Sequence, residues 1–326
     1  MTMRQNVAEQ PLPRFEVELA VPDLSCWIAG NTGIAGFWRF AAAAPGPHVL
    51  LLALTHGNEI AGAIVLERLL AAGLRPERGT LTIGFANLAA FAHFDPRRPI
   101  LSRSIDEDMN RVWDPAVLEG RRQSIELARA REIRSLIESA DVLLDLHSML
   151  WPSDPVLLCG PTARGRALAL GVGMSGLVVA DGGHPDGLRI IDHPRFASPG
   201  ARAIALLAEG GQHWRHGTVD TLRAAVAGLL RTTGTLASHP ALPPPPPEPH
   251  APRFAAVTET VVANTGAFAF VRPWRGGEIV PKRNTLLALD GEAEVRTPFD
   301  NCLLVMPNLR ACRGHTAVRL ARLDAS

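Results

Sequence analysis

In HVLLLALTHGNEIAGAIVLERLL (His48 to Leu70) an apolar run passes directly into a helix-like one, and the junction carries His56 and Glu59. A turn after a strand needs only residues such as Gly57 and Asn58, which already stand there. An imidazole and a carboxylate three residues apart are surplus to that turn, and one turn of chain brings both to the same side. They supply two of the three His and Asp/Glu ligands that a catalytic zinc commonly takes while keeping a fourth position for water. The third must come from another strand, and DVLLDLH (Asp141 to His147) offers His147. Asp145 shares a strand face with His147 and is placed to orient a ligand. Each residue also has an ordinary structural role open to it: Glu59 is favourable in the first turn of a helix, and a histidine at a strand end commonly satisfies a local hydrogen bond. The combination in chain order is what points to a metal.

Two further stretches carry chemistry. SRSIDEDMNRVW (Ser102 to Trp113) holds Arg103, Arg111 and Asn110, a set suited to a substrate carboxylate: a guanidinium binds it through two parallel hydrogen bonds and the amide orients it. The competing use of that segment is internal pairing of the arginines with Asp106, Glu107 and Asp108. LLAEGG ends an apolar run on Glu209, where a carboxylate is out of place unless something uses it. A general base that takes a proton from water beside a metal needs such a position, desolvated enough for its pKa to rise toward the working pH. Gly210 and Gly211 would leave room there for substrate. Of the remaining histidines, His193, His213 and His216 read as structural or exposed, whereas His184 in DGGHPDG stands where it could reach a second metal or the substrate.

These residues need a scaffold that gathers strand ends. His48 to Leu54, Gly79 to Asn87, Asp141 to His147, Pro155 to Gly160, Ser175 to Gly183 and Ala201 to Gly211 are strand candidates; Glu59 to Gly73 and Ser124 to Ala140 are helix candidates. The alternation predicts an α/β fold, a mostly parallel mixed sheet flanked by helices, whose sites lie beyond the carboxyl ends of the strands. His56, Asn87, His147 and Glu209 all fall at such ends. HPALPPPPPEPHAPRF (His239 to Phe254) is an extended proline tract that cannot be core. It divides a catalytic domain (1–240) from a linker (241–252) and a small C-terminal all-β domain (253–326) of short pieces split by Gly, Pro, Asn and Asp.

Composition excludes several classes. With 33 basic and 32 acidic residues in 326, the net charge of +1 leaves no footprint for nucleic acid. Four cysteines without C-x-x-C spacing argue against a disulfide framework or cysteine zinc site, and no apolar run approaches the roughly 20 residues of a membrane span. The N-terminal MTMRQNVAEQPLPRF lacks the charged-then-apolar run of a leader, so the expected location is the cytoplasm, with no membrane partner.

The motifs HGNE, NR after an acidic run, DLH and EGG, in this order from about Val49 to Gly211, resemble the succinylglutamate desuccinylase and aspartoacylase family, relatives of the zinc carboxypeptidases. The C-terminal GGEIV, NTLLALDG and VRTPFD stretches are similar to that family's small β domain, a degenerate biotinyl/lipoyl-like fold. The resemblance implies one zinc per chain on His56, Glu59 and His147, and Glu209 as the base that activates water and later protonates the leaving amine. It implies Asn110 with Arg111 as the clamp on a substrate carboxylate, and Arg103 as the group that polarises the scissile carbonyl and stabilises its oxyanion. The chain contains no tyrosine, where the family uses one near the substrate, and Arg189, Arg195 and Arg202 all compete for the place of an arginine that reads a second substrate acid. The expected activity is zinc-dependent deacylation of a small N-acyl amino acid or related N-acylated amine, in a chain that could self-associate. A zinc carboxypeptidase acting on short peptides and a non-catalytic zinc-containing binding protein are the alternatives.

Overall fold

The computed structural model describes residues 14–174, 176–184, 186–245 and 252–324. The N-terminal stretch on which the expectation of no leader rests, up to residue 13, and residues 246–251 of the proline tract lie outside the described residues. Unbroken apolar runs become strands covered on both faces, and the segments with helical spacing lie between them. In chain order these are β1 (Phe37–Ala41), β2 (Ala44–Ala53), α1 (Ile60–Ala71), β3 (Arg78–Phe85), α2 (Leu88–Phe91), α3 (Pro115–Glu119), α4 (Ile125–Ser139), β4 (Val142–Met149), β5 (Val156–Leu158), α5 (Ala163–Val172), β6 (Leu177–Ala180) and α6 (Pro194–Ala197). Then follow β7 (Ile204–Gln212), α7 (His216–Thr232), β8 (Arg253–Val262), β9 (Phe268–Phe270), β10 (Ile279–Val280), β11 (Leu286–Asp290), β12 (Ala293–Arg296), β13 (Cys302–Val305) and β14 (Thr316–Leu323).

The large sheet runs β1-β3-β2-β4-β7-β5-β6-β8-β14-β13-β10, and β12-β11-β9 form a second, antiparallel sheet. Strands β3, β2, β4 and β7 are parallel; β5 runs against β7 and restarts a parallel set with β6 and β8. The segment after the proline tract thus contributes both to the large sheet, through β8, β14, β13 and β10, and to the small one. Hydrophobic alternation is satisfied on two faces. Leu51 and Leu144 pack with α1, α5 and α7 on one side, while Leu50, Leu52 and Leu143 pack with α4 on the other. Ser124 caps α4 by accepting the Leu127 N–H, which starts that helix where the sequence predicts it.

Close packing on the first face depends on Gly228 of α7, where an added Cβ would stand 1.9 Å from the Val172 carbonyl oxygen at the end of α5. Backbone cannot swing aside as a side chain can, so Gly228→Ala must separate the helices. A loss of about 1–3 kcal/mol is expected, seen as a lower urea midpoint at unchanged m value.

Candidate active site

Because β2, β4 and β7 lie side by side and parallel, their carboxyl ends open on one edge. The register places His147 of β4 opposite Glu209 of β7, and Leu52 of β2 opposite Asp145. One extra residue on β7 follows, with Met149 opposite Gln212, a bulge of the kind that re-aims side chains beside sites. Gly211 adopts φ 129° there, a conformation that glycine tolerates. The two glycines do not open space for substrate as the sequence suggests. A Cβ on Gly210 would meet Leu222, and one on Gly211 would meet Thr218, both of α7, so they let that helix seat against the strand.

His56 and Glu59 occupy the turn between β2 and α1, with Glu59 at the helix N-cap position. The chain enters this turn through Leu54 at φ 58°, an unfavourable setting for leucine that its surroundings must enforce. The Trp214 indole donates to the Asn58 carbonyl at 2.9 Å, and the Leu54 carbonyl accepts from the Asn87 N–H at 2.8 Å. Asn87 itself caps α2 and bonds Glu126, so its strand-end position serves structure. Glu126 also accepts N–H groups of Ile105, Asp106 and Glu107, which fixes the loop carrying Arg103 and Arg111.

His56, Glu59 and His147, all buried, bring their ligand atoms within 4.8 Å of one another. His56 Nδ1 is 2.7 Å from Glu59 Oε1, and His147 Nδ1 is 3.0 Å from Glu59 Oε2. The outer nitrogens meet other carboxylates: His56 Nε2 lies 2.8 Å from Asp108 Oδ1, and His147 Nε2 lies 2.7 Å from Asp145 Oδ2. Asp145 is fixed in turn by the Thr55 hydroxyl at 2.9 Å. Both Nδ1 atoms therefore point inward; the outer nitrogen of His147 faces only the Asp145 carboxylate, while that of His56 lies between Asp108 and the Arg103 guanidinium, whose Nη2 is 2.9 Å away, and these partners hold the two rings in place as ligands. Two imidazoles and a carboxylate of this geometry fit zinc.

The electrostatics agree. Burial opposes ionisation of Glu59, yet His56 and His147 hold its carboxyl well below the usual range. Burial likewise opposes a charge on His147, but Asp145 and Glu59 raise its pKa well above the ordinary imidazole value. The pocket attracts positive charge at its centre.

Glu209 behaves oppositely. Burial, reinforced by the nearby charge of Glu59, pushes its pKa up to about 8, and its Oε2 has no hydrogen-bond partner among the described residues. Both glutamates line one cleft of roughly 720 Å3 together with His56, His147, Arg103 and Arg111. His213 lines the same cleft, bonded through Nδ1 to the Ser148 hydroxyl at 2.7 Å; burial lowers its pKa to about 4, so it is neutral.

Arg103 donates to Glu59 Oε1 at 3.2 Å and to Asp108 Oδ2 at 3.0 Å, at the edge of the ligand cluster. Burial works against the charge on Asp108, but His56 and Arg103 hold its carboxyl well below the usual range. Asn110 accepts the Ile190 N–H through Oδ1, which ties it to a neighbouring loop and orients its amide. Among the described residues Arg111 bonds only the adjacent Asn110 carbonyl, and the carboxylate oxygen nearest to it, on Asp108, is 4.0 Å away.

Of the three arginines ahead of Glu209, Arg189 alone lines the cleft, but its guanidinium is already bonded to Asp181 and to both oxygens of Asp192. Arg195 donates to the Ala140 carbonyl. His184 spends Nδ1 on the Asp186 N–H and Nε2 on the Thr316 hydroxyl, so neither nitrogen is left for a second metal. Sequence reasoning missed Arg319, Ser148 and Thr55, and gave Asp108 no more than the pairing role of a solvated loop. No local pattern marks the first three.

Residues 45–159 match the model of the succinylglutamate desuccinylase/aspartoacylase catalytic domain, which bears out the resemblance carried by HGNE, NR and DLH. A comparison with curated proteins gives no match. The fold is shared with solved desuccinylases. The succinylglutamate desuccinylase of Vibrio parahaemolyticus is 17% identical with a TM-score of 0.67, covering 89% of this chain and 86% of its own. A succinylglutamate desuccinylase/aspartoacylase from Rhodobacter sphaeroides is 19% identical with a TM-score of 0.62, covering 89% and 95%. The ectoine utilization protein EutE of Ruegeria pomeroyi, solved with product bound, is 16% identical with a TM-score of 0.59, covering 87% of each chain. Among the described residues no helix is long and apolar enough to cross a membrane.

Proposed function

We propose that the chain is a zinc-dependent hydrolase that cleaves the amide bond of a small N-acyl amino acid or related N-acylated amine, with one zinc per chain on His56, Glu59 and His147. The reading is carried by a buried cluster of two imidazoles and a carboxylate that shares its cleft with an unpartnered, protonatable Glu209 on the next strand. The match to a family named for two deacylases supports it. Zinc, when bound, supplies Lewis acidity and makes water acidic enough to lose a proton near pH 7. Glu209 takes that proton and delivers it to the departing amine, the exchange for which a pKa near the working pH is suited. Arg103, anchored by Glu59 and Asp108, keeps further N–H bonds for the oxyanion that forms as the carbonyl is attacked. Asn110 and Arg111 bind the substrate carboxylate, Arg111 having no carboxylate closer than Asp108, 4.0 Å away, among the described residues.

Residues 1–240 are the hydrolase unit in this proposal, and the segment from 253 onward supplies a wall of the cleft through residues such as Asn308, Thr316 and Arg319. That wall favours small substrates over peptides. The test is a panel of N-acyl amino acids and short unblocked peptides, incubated with zinc-loaded protein and assayed for released amine. Turnover of at least one N-acyl amino acid, with the peptides left intact, is expected. Turnover of peptides alone would make the chain a carboxypeptidase, and binding without any turnover would make it a ligand-binding protein.

A further inference from the structure

The indole of Trp214 ends on the turn that carries two of the three candidate metal ligands. Trp214 is 1% exposed, and its Nε1 donates to the carbonyl of Asn58, the residue just before Glu59. A buried indole N–H needs an acceptor, and any nearby carbonyl would meet that need. The backbone at both ends of this bond argues for more. Leu54 leads into the ligand turn at φ 58°, and Trp214 itself stands at φ 61°, a setting that large side chains adopt only at a cost. Filling the core requires no such backbone. Strain of this kind persists where the surroundings over-determine it, and it gathers at functional sites.

The preceding residue completes a clasp. The His213 N–H donates to the Met149 carbonyl at 2.7 Å, and the His213 ring is the partner of the Ser148 hydroxyl. Ser148 follows His147 in sequence, and its own N–H donates to Glu59 Oε2 at 2.9 Å. Two consecutive residues thus hold both ligand-bearing segments, Trp214 the turn after β2 and His213 the end of β4. Both lie on the chain that leaves Glu209, just past the bulge of β7. Trp214 is braced in turn by Phe15, whose ring meets it edge-on at 6.0 Å, and by the Glu18 N–H, which donates to its carbonyl at 3.0 Å. The ligand turn has a second anchor in the Gly57 N–H, which donates to the Arg103 carbonyl at 3.1 Å.

We propose that Trp214 is a positioning residue for the metal centre. Its indole N–H fixes the His56–Glu59 turn against the strand that carries Glu209, and so holds the ligand cluster and the base in one frame. It acts through the Asn58 carbonyl and is not among the residues that line the cleft. The inference rests on the zinc ligands proposed above, and on no particular substrate. Metal affinity can be measured without turnover.

The experiment compares full-length Trp214→Phe, which keeps an aromatic ring and loses the N–H, with Trp274→Phe. Trp274 makes the same kind of bond, to the Leu287 carbonyl at 3.0 Å, in the part of the chain after the proline tract, and does not line the cleft. Both variants should unfold at lower urea than the parent when metal-free. Competition with a chromophoric chelator gives the zinc dissociation constants, and the visible spectrum of the cobalt(II)-loaded proteins reports the ligand geometry. Trp214→Phe is expected to bind zinc about 10-fold more weakly and to alter the cobalt spectrum, while Trp274→Phe matches the parent in both. With any N-acyl amino acid that the parent hydrolyses, Trp214→Phe should lower kcat and leave KM near the parent value, because the loop of Asn110 and Arg111 is tied to Ile190 and Glu126 instead. Unchanged zinc affinity and cobalt spectrum in Trp214→Phe overturn the proposal. So does an equal loss of affinity in Trp274→Phe, which would trace the effect to stability alone. Should Trp214→Phe not fold, the unaltered protein decides: its Trp214 indole N–H is expected to exchange more slowly with zinc bound than without, and equal exchange overturns the proposal. Weaker binding by Trp214→Phe, in a chain whose parent hydrolyses nothing, keeps the positioning role and removes the hydrolase reading. A parent that binds neither zinc nor cobalt removes both.

Discussion

Glu209→Gln is expected to lower turnover by about 10²- to 10⁴-fold while leaving the zinc content at the one per chain proposed for the parent. This is the range for loss of a positioned general acid–base group. Glutamine retains the size and polarity of the side chain at the end of β7 but can neither take nor return a proton, and Glu209 is not among the three groups whose ligand atoms converge. Full activity in the variant would remove Glu209 from the reaction.

The same substitution has a signature in stability. In the metal-free protein Glu209 keeps its proton up to about pH 8, because burial and then the Glu59 charge disfavour ionisation, whereas the ordinary value is 4.5. Between those values the folded chain holds a proton that the unfolded chain has released, so stability falls as pH rises through this window. Glutamine has no such proton. Metal-free Glu209→Gln should be more stable than the parent at pH 7, by on the order of 2–3 kcal/mol, and the difference should shrink toward pH 5. Urea unfolding at the two pH values measures it, and equal stability at both would mean that Glu209 is solvated or paired in solution.

His147→Ala should abolish zinc binding and, with it, detectable turnover. His147 joins two buried carboxylates, with Nδ1 toward Glu59 and Nε2 toward Asp145. Its removal leaves both acids without their partner and opens the donor set. Breaking a buried ion pair by deleting one member costs about 3–5 kcal/mol, so the variant should also melt earlier than chelator-treated parent protein. For the parent, zinc at 100 times its dissociation constant should add about 2.7 kcal/mol of stability that chelation removes, and His147→Ala should show no such gain. Metal analysis together with thermal melts with and without chelator decides the matter. One tightly held zinc per chain in the variant would show that the ligand set lies elsewhere.

The site was legible in sequence to the extent that its chemistry lies in short local patterns. A polar residue is conspicuous at the end of an apolar strand, and strand alternation within DLH already put Asp145 on the same face as His147. His56 and Glu59 stood out for the same reason, being more polar than a turn requires. Residues such as Arg189, Arg195 and Arg202 were ambiguous because spacing along the chain does not say which side of the sheet a loop crosses. Pairing with Asp181 and Asp192, which only folded loops can bring about, commits Arg189 to structure.

By itself the sequence determined that α and β segments alternate, that several strands are buried on both faces, and which side chains sit at strand ends, since periodicity and chain neighbours are local properties. Tertiary structure decided the rest: that β8 and β14 extend the large sheet, that the glycines after Glu209 face α7, and that Arg319 lines the same cleft as His56. Strand order and the pairing of charges depend on contacts between residues hundreds of positions apart. Hydrophobic patterning constrains which face of a strand is buried, not which neighbour it meets.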